Sequence, residues 1–314
     1  MDDLFRDPSA VILRREALAD GYDDRTIRQL VRSGAWTRIR RGAYVLSDTW
    51  GSLDDVGRHR LLARAVLRTA HPSAVLTHVS AVAEHGGALW GVDLSEVHIT
   101  RTDGKAGRRE AGIVHHCGGL AESEVCSVNG LPVSGICRSI VELSAIASLE
   151  SCLVTANWFL GQKTVCPEEL VAMTEHVRFW PGTLHKHVLT RLFDGRNQWP
   201  GEARTSYVLW RAQLPKPEPQ FQVRDADGHL LGVVDFAWPE YGVFLEFDGR
   251  IKYERLRRKG ETIEDVILRE KRREEQICLA TGWVCIRISW DDLARPTTTA
   301  RRIRAVLEGR RSAH

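Results

Sequence analysis

The sequence predicts a multi-domain α/β protein (α+β), and three observations indicate this class. Its 314 residues are 43% hydrophobic and 27% charged, which is an ordinary globular composition with room for more than one core. Segments with helical spacing of apolar residues alternate with strand-like segments, without an internal repeat. A stretch rich in Pro, Gly, Asn and Trp marks a boundary at residues 181–198. We therefore expect three parts, at residues 1–50, 51–180 and 195–314.

The overall charge and the cysteines narrow the class of protein. The net charge is +3 and the isoelectric point is about 8.5, so only local clusters of Arg and Lys could serve a nucleic-acid partner. None of the seven cysteines forms a CxxC pair, the chain does not open like a signal peptide, and no apolar run approaches the roughly 20 residues that span a bilayer. We expect a cytoplasmic protein with reduced thiols and no membrane partner.

The first fifty residues predict a winged helix. Apolar residues recur at helical spacing in VILRREALADG, and Asp23 and Asp24 are candidate N-caps for the next helix, DRTIRQLVRSG, which Gly34 ends. The segment WTRIRRGAYVL then alternates around a turn at Arg41 and Gly42, which predicts a two-stranded ribbon. The apolar stripe of the second helix consists of Ile27, Leu30 and Val31.

Arginines cluster on this second helix and on the ribbon. We expect them to contact DNA, because a recognition helix and a wing need exposed cations for phosphates and base edges. The alternative is a solvated, charged helix face on a packing module. The six arginines are Arg25, Arg28 and Arg32 on the helix and Arg38, Arg40 and Arg41 on the ribbon.

The pattern from LRREALADG through LVRSGAWTRIRRGAYV resembles the N-terminal winged-helix domain of the AbiEi-type antitoxin family. In that family the domain is associated with DNA binding and autoregulation, and the resemblance implies both here. Residues 51–180 resemble the segment that follows the winged helix in the same antitoxin-like proteins. The sequence assigns no chemistry to this mixed α/β middle region.

The middle region is predicted to mix helices with strands. RHRLLARAVLRTA, AVLTHVSAVAEHGG and CRSIVELSAIASLESCLVTANWFLG have helical spacing, whereas LSEVHITRT, GIVHHCGG and LPVSG are strand-like. We do not expect zinc at the triplet His115, His116 and Cys117, because neighbouring strand residues point to opposite faces. His78 and His85, on a predicted helix, are expected to be structural.

Three carboxylates interrupt two apolar strands of the C-terminal part. If residues 239–242 form a four-residue hairpin loop, Asp235 lies opposite Glu246, and Asp248 shares the same face. Like charges at this separation repel one another, and a divalent cation removes the conflict. Carboxylates and waters are the ligands that Mg²⁺ prefers, so we expect a site for Mg²⁺ or Mn²⁺.

A helix and a lysine complete the predicted site. Glu202, in the first turn of the helix GEARTSYVLWRAQL, is expected to bind the metal together with Asp235 and Glu246. Asp248 would be a further ligand or position the attacking water, and Lys252 would stabilise charge on the phosphoryl group. These residues predict metal-dependent cleavage of phosphodiesters.

The order of these residues resembles the restriction-endonuclease-like fold with its PD-(D/E)xK signature, in the branch that contains Vsr-like mismatch endonucleases and the domain of unknown function numbered 559. The shared segments are VVDFAWPE, VFLEFDG and EKRREEQICLATGWVCIRISWDDL. The resemblance implies an α/β domain around a central mixed sheet, and nuclease activity. One position departs from the signature: Asp248 stands where a lysine is expected, so Lys252 or Lys271 would have to supply the ammonium group.

A basic stretch follows the carboxylates. We expect it to hold a nucleic-acid backbone. The alternative is a solvated loop and helix in which Glu270, Glu274 and Glu275 pair the charges. The expected contacts are Arg255, Arg257, Arg258 and Lys271.

Together these patterns predict a DNA-binding protein with a Mg²⁺-dependent endonuclease domain, in phage defence, toxin–antitoxin function or DNA repair. The rival is a transcriptional regulator or antitoxin whose nuclease fold is inactive. DNA is the expected partner, with a cognate toxin or a second copy of the chain as further candidates. The type of nucleic acid that is cleaved stays open.

Overall fold

The chain folds into two compact units. Residues 1–155 and 165–191 form the first unit, and residues 156–164 and 192–314 form the second. Helices and sheets in both units confirm the predicted α/β class. Within the part of the chain that the structure describes, no helix has the length and apolar character needed to cross a membrane. The computed structural model describes residues 10–104, 107–180, 186–197, 199–249 and 262–311.

The first unit begins with a winged helix. Its elements are β1 (Ile12–Leu13), α1 (Arg14–Ala19), α2 (Asp24–Arg32), β2 (Trp36–Arg40) and β3 (Ala43–Leu46), with sheet order β1-β3-β2. The start of the first predicted helix is instead strand β1, in which Leu13 pairs with Ala43. The reason is burial, because Val11 and Leu13 pack into a core with Val45 of β3.

The second helix of the winged helix has the predicted stripe and cap. Ile27 is buried with Trp36 and Tyr44 beneath α2. Asp23 is the N-cap, and its Oδ1 accepts the backbone N–H of Thr26 at 2.6 Å. This bond satisfies one of the N–H groups that have no partner within the first turn. The apolar side of α2 therefore faces the sheet and its arginines face outward.

A six-stranded mixed sheet with the order β6-β7-β5-β4-β9-β8 follows. Strand β5 runs parallel to β7, with His98 opposite Val114 and Thr100 opposite His116. His98 and His116 therefore lie on the same face of the sheet. The elements are α3 (Ser47–Ser52), α4 (Asp55–Leu67), β4 (Ala74–Leu76), α5 (His78–Glu84), β5 (Val97–Arg101), β6 (Arg109–Glu110), β7 (Ile113–His116), β8 (Val125–Val128), β9 (Leu131–Ser134), α6 (Ile136–Leu143), α7 (Leu149–Gly161), α8 (Pro167–His176) and α9 (Lys186–Leu192).

Two predicted helices of this region are divided differently in the structure. Residues 74–76 form β4, because their three buried side chains fit between β5 and β9, and the helix begins only at His78. The helix predicted over residues 137–161 is two helices, α6 and α7. Ser148 precedes α7, and its Oγ accepts the N–H of Ser151 at 3.1 Å as a cap for the new helix.

The second unit is built on a four-stranded sheet with the order β10-β11-β12-β13, in which β13 is parallel to β12. Phe236 and Trp238 lie on one face, in a core shared with the helices α10, α12 and α13. Ala237 and Phe244 lie on the other face, against Ile277 of α11. The elements are α10 (Pro200–Arg211), β10 (Glu218–Arg224), β11 (Leu230–Trp238), β12 (Val243–Asp248), α11 (Ile263–Thr281), β13 (Val284–Ser289), α12 (Trp290–Leu293) and α13 (Pro296–Arg311).

Candidate nucleic-acid interface and carboxylate site

Five of the six arginines predicted to contact DNA from the winged helix are exposed. None of the five forms an ion pair within 4.0 Å with a carboxylate of the described residues. Asp24, the first residue of α2, pairs instead with Arg14 at 2.6 Å. The helix and the ribbon therefore present cations to solvent that no described carboxylate pairs within 4.0 Å. The five are Arg25, Arg28, Arg32, Arg38 and Arg41.

Arg40 differs from the other five because it is half-buried. Its Nη1 is buried without a hydrogen-bond partner among the described residues, and burial lowers the pKa of its guanidinium. It follows a register shift in the pairing of β2 with β3, between Arg38 and Arg40. DNA contact by Arg40 stays a prediction, and its position favours the exposed arginines for that role.

The C-terminal hairpin has the predicted register. Trp238 pairs with Val243 across the loop of residues 239–242. Continuing this register places Asp235 opposite Glu246 on one face of the sheet. The two residues are 5% and 7% exposed, respectively, so their carboxylates need partners.

The protein itself supplies partners for both carboxylates. The Oδ2 atom of Asp235 accepts the backbone N–H of Phe247 at 2.8 Å. The Oε1 atom of Glu246 accepts a bond from Nη2 of Arg273 at 2.7 Å, and the same nitrogen lies 2.9 Å from Glu270. Burial works to lower the pKa of Arg273, but the charges of Glu246 and Glu270 outweigh it, and the pKa is raised overall. Among the described residues, Arg273 of α11 is therefore a cation that pairs with this site.

Asp248 lies at the rim of the same face. Its side chain is 39% exposed and 3.6 Å from Nη1 of Arg287 on β13. Arg287 also donates to Glu274 of α11 at 2.7 Å. Asp248, which stands in the lysine position of the signature, is thus paired with Arg287 of the neighbouring strand.

Glu202 is buried at the start of α10, next to Gly201, which lies against Phe247 of β12. A Cβ at Gly201 would lie 2.1 Å from Cε1 of Phe247, so glycine is what allows this helix to approach β12. Phe247 points away from the face that carries Glu246, because successive strand residues alternate. Glu202, Asp235 and Glu246 are not brought together as a set with ligand atoms within 4.8 Å of one another.

The remaining predicted contacts divide into two kinds. Lys271 is exposed on α11. Lys252, Arg255, Arg257 and Arg258 lie outside the described residues.

Two other groups of metal-ligand types were not predicted. In the described ranges, these two are the ones whose ligand atoms all lie within 4.8 Å of one another. One is in the exposed turn before β11 and the other is largely buried in the first unit. They consist of Asp225, Asp227 and His229, and of His78, His98 and His116.

Comparison with known proteins bears on the N-terminal part. Residues 1–47 match a family described as "Transcriptional regulator, AbiEi antitoxin". Among solved structures, the chain is similar to the RV2827C protein from Mycobacterium tuberculosis, with 14% identity and a TM-score of 0.37, over 71% of this chain and 86% of that one. No curated protein matches the chain. The family match coincides with the winged helix, and the nuclease resemblance of the C-terminal part stays a prediction.

Proposed function

We propose that the protein is a DNA-binding transcriptional regulator that contacts DNA through its N-terminal winged helix. The observation that carries this proposal is the set of exposed arginines on α2 and the ribbon, which no described carboxylate pairs. The antitoxin-regulator family matched by residues 1–47 supports the same role. A cognate toxin and a second copy of the chain remain predicted partners.

The spacing of the arginines suits a recognition helix. Arg25, Arg28 and Arg32 lie on one face of α2 and span about 10 Å along its axis. In a winged helix such a face enters the major groove, while the ribbon contacts the flanking phosphates. Arg38 and Arg41 occupy that ribbon. Each phosphate that these residues neutralise releases counterions, so the affinity must fall as salt rises.

The test is a salt series of DNA-binding measurements by fluorescence anisotropy, using a duplex from the region upstream of the protein's own gene. Arg28→Ala is expected to weaken binding roughly 5- to 150-fold, since a lost base contact costs about 1–3 kcal/mol. Arg41→Ala is expected to reduce the salt slope by about one unit, as a lost phosphate contact does. Arg301→Ala, which removes an exposed charge from α13, is the matched control and should bind like wild type. Equal affinity of all four proteins would refute the proposal.

A second candidate function is metal-dependent phosphodiester cleavage by the C-terminal domain. The hairpin register favours it, because it places two buried carboxylates opposite each other beside an arginine. Their oxygens suit Mg²⁺ chemically, and Mg²⁺ would polarise the phosphate and lower the pKa of an attacking water. Asp235 and Glu246 would hold the ion. Glu202 was predicted as a third ligand, but its ligand atoms and those of Asp235 and Glu246 do not all lie within 4.8 Å of one another. The signature expects a lysine where this sequence has Asp248. Arg273 would supply the positive charge that this lysine provides in the signature.

This candidate is tested by nicking of supercoiled plasmid in Mg²⁺ or Mn²⁺. Cleavage should disappear in Asp235→Ala and Glu246→Ala and persist in Asp227→Ala, which removes an exposed carboxylate from the same domain. Absence of cleavage by wild type, with DNA binding retained, would eliminate the nuclease and leave the regulator.

A further inference from the structure

Three histidines from distant parts of the sequence meet inside the first unit. His78 is the first residue of α5, His98 lies on β5 and His116 on β7. The ring centroids of His78 and His116 are 3.6 Å apart, and those of His98 and His116 are 5.0 Å apart. The ligand nitrogens of all three lie within 4.8 Å of one another.

The pair on the sheet has nearly the spacing of two ligands on one ion. Nδ1 of His98 is 2.8 Å from Nε2 of His116, and the two share a hydrogen bond. Two imidazole nitrogens bound to one tetrahedral zinc at 2.0–2.1 Å would be about 3.3 Å apart. An ion therefore has to replace one proton and separate these two nitrogens by roughly half an ångström. It also has to tilt the ring of His78, which is stacked on His116 with an interplanar angle of 14°, because the lone pair of each nitrogen lies in the plane of its ring.

His78 is held in place by its surroundings. Its backbone has φ of +53°, a conformation that costs energy for a residue other than glycine. The backbone N–H of His78 donates to the buried Glu142 at 3.1 Å. The ring Nδ1 of His78 lies 3.1 Å from Oγ1 of Thr77. Metal-binding histidines usually have one ring nitrogen oriented by an oxygen in this way, with the other directed at the ion.

A cavity of about 270 Å³ adjoins the cluster, and His98 and His116 line it. Its other lining residues include Asp93, Glu96 and Arg109. Glu96 is paired with Arg109, and Asp93 accepts the N–H of Ser95 at 2.8 Å, so these two acids already have partners. The cavity leaves room for a fourth ligand, such as water or a small anion.

We propose that His78, His98 and His116 bind one Zn²⁺ or a similar transition-metal ion, with its fourth coordination position facing this cavity. Three imidazoles are borderline-soft ligands that suit zinc, copper, nickel and iron, not Mg²⁺. Three protein ligands and one open position are the arrangement of catalytic zinc sites, whereas structural sites use four protein ligands. The proposal concerns a different unit from the carboxylates and does not depend on DNA binding or nuclease activity.

The test uses the full chain after removal of metals with EDTA, titrated with Co²⁺ and then with Zn²⁺ as competitor. Wild type should bind one equivalent of Co²⁺ with the visible bands of a tetrahedral site, and Zn²⁺ should abolish them. His98→Gln and His116→Gln should each weaken binding by more than the roughly 10–100-fold that loss of an outer-shell partner causes. His116→Cys should retain binding and add a sulfur-to-cobalt charge-transfer band.

Two control variants locate the site. His115→Gln changes the residue of β7 that precedes His116. The Nε2 of His115 lies 3.8 Å from Glu110, and this variant should bind metal like wild type. His229→Gln alters the exposed Asp225–Asp227–His229 group and should also have no effect. Binding that survives in His98→Gln and His116→Gln, or that is lost in His229→Gln, overturns the proposal.

A measurement on wild type alone guards against variants that fail to fold. X-ray absorption of the zinc-loaded protein should show three imidazole nitrogens around the ion. No bound zinc, or a shell with fewer imidazoles, would show that the histidines form only a structural cluster.

Discussion

The carboxylate pair of the second unit and the histidine cluster of the first are both buried groups of metal-ligand types, but the protein stabilises them differently. Glu246 is bound to Arg273 at 2.7 Å, and Asp235 to a backbone N–H at 2.8 Å. His98 and His116 are instead hydrogen-bonded to each other at 2.8 Å.

The difference follows from the charge of each side chain. A carboxylate is ionised at neutral pH and cannot be buried without compensation, so α11 supplies an arginine. An imidazole can be neutral, so a buried cluster of them is stable without a counter-ion. A cation entering the carboxylate site has to share Glu246 with Arg273, whereas one entering the histidine cluster displaces a proton.

The largest change in the free energy of unfolding is expected from removing Arg273. Arg273→Ala should lower the free energy of unfolding by about 3 kcal/mol, at the low end for a broken buried pair because Arg273 is partly exposed. Urea denaturation measures this. Arg272→Ala, which removes a neighbouring exposed charge from the same helix, should change stability by no more than about 0.5 kcal/mol.

The same variant tests whether Mg²⁺ can take the place of the guanidinium. If the nuclease candidate is right, Mg²⁺ should stabilise Arg273→Ala more than it stabilises wild type. A stability of Arg273→Ala equal to that of wild type would mean that Glu246 needs no cation, and the contrast between the two sites would fail.

Binding of zinc to the histidine cluster is expected to change the free energy of unfolding slightly less than Arg273→Ala does. At a concentration 100 times its dissociation constant, a ligand bound only to the folded state stabilises it by about 2.7 kcal/mol. Zn²⁺ should therefore raise the unfolding free energy of wild type and leave His116→Gln unchanged, whereas Mg²⁺ should stabilise neither protein through this site. An equal response of wild type and His116→Gln to Zn²⁺ would contradict the assignment.

The carboxylate pair could be predicted from the sequence because its geometry is local. A four-residue loop sets the register of the hairpin, and strand alternation then places Asp235 and Glu246 together. Arg273, which pairs with Glu246, was not predicted, although its spacing in the sequence indicates its position. Arg273 lies seven residues after Val266 and four before Ile277, both buried, so it belongs to the inward face of α11.

The histidine cluster could not be predicted because it depends on long-range pairing. His98 and His116 share a face only because parallel β5 and β7 pair with Thr100 opposite His116. A slip of one residue would turn His116 to the other face and replace it with His115. The rule that neighbouring strand residues diverge correctly separated these two, but nothing local indicated that β4 would end and α5 begin at His78.

The smallest change in the free energy of unfolding is expected from lowering the pH. Burial, together with the charges of His116 and His59, lowers the pKa of His98 to about 4, although Glu96 opposes this. The folded state therefore binds a proton less readily than the unfolded chain, whose histidines titrate near 6.5. Stability from this group is fully present above that pH and declines as the pH falls towards 4. At pH 5.5 the metal-free protein should have lost about 1 kcal/mol through His98. Urea unfolding in EDTA at pH 7.5 and 5.5 measures this loss. The unfolding free energy of His98→Gln should differ less between the two pH values than that of wild type. An identical difference would mean that His98 is not held neutral by burial.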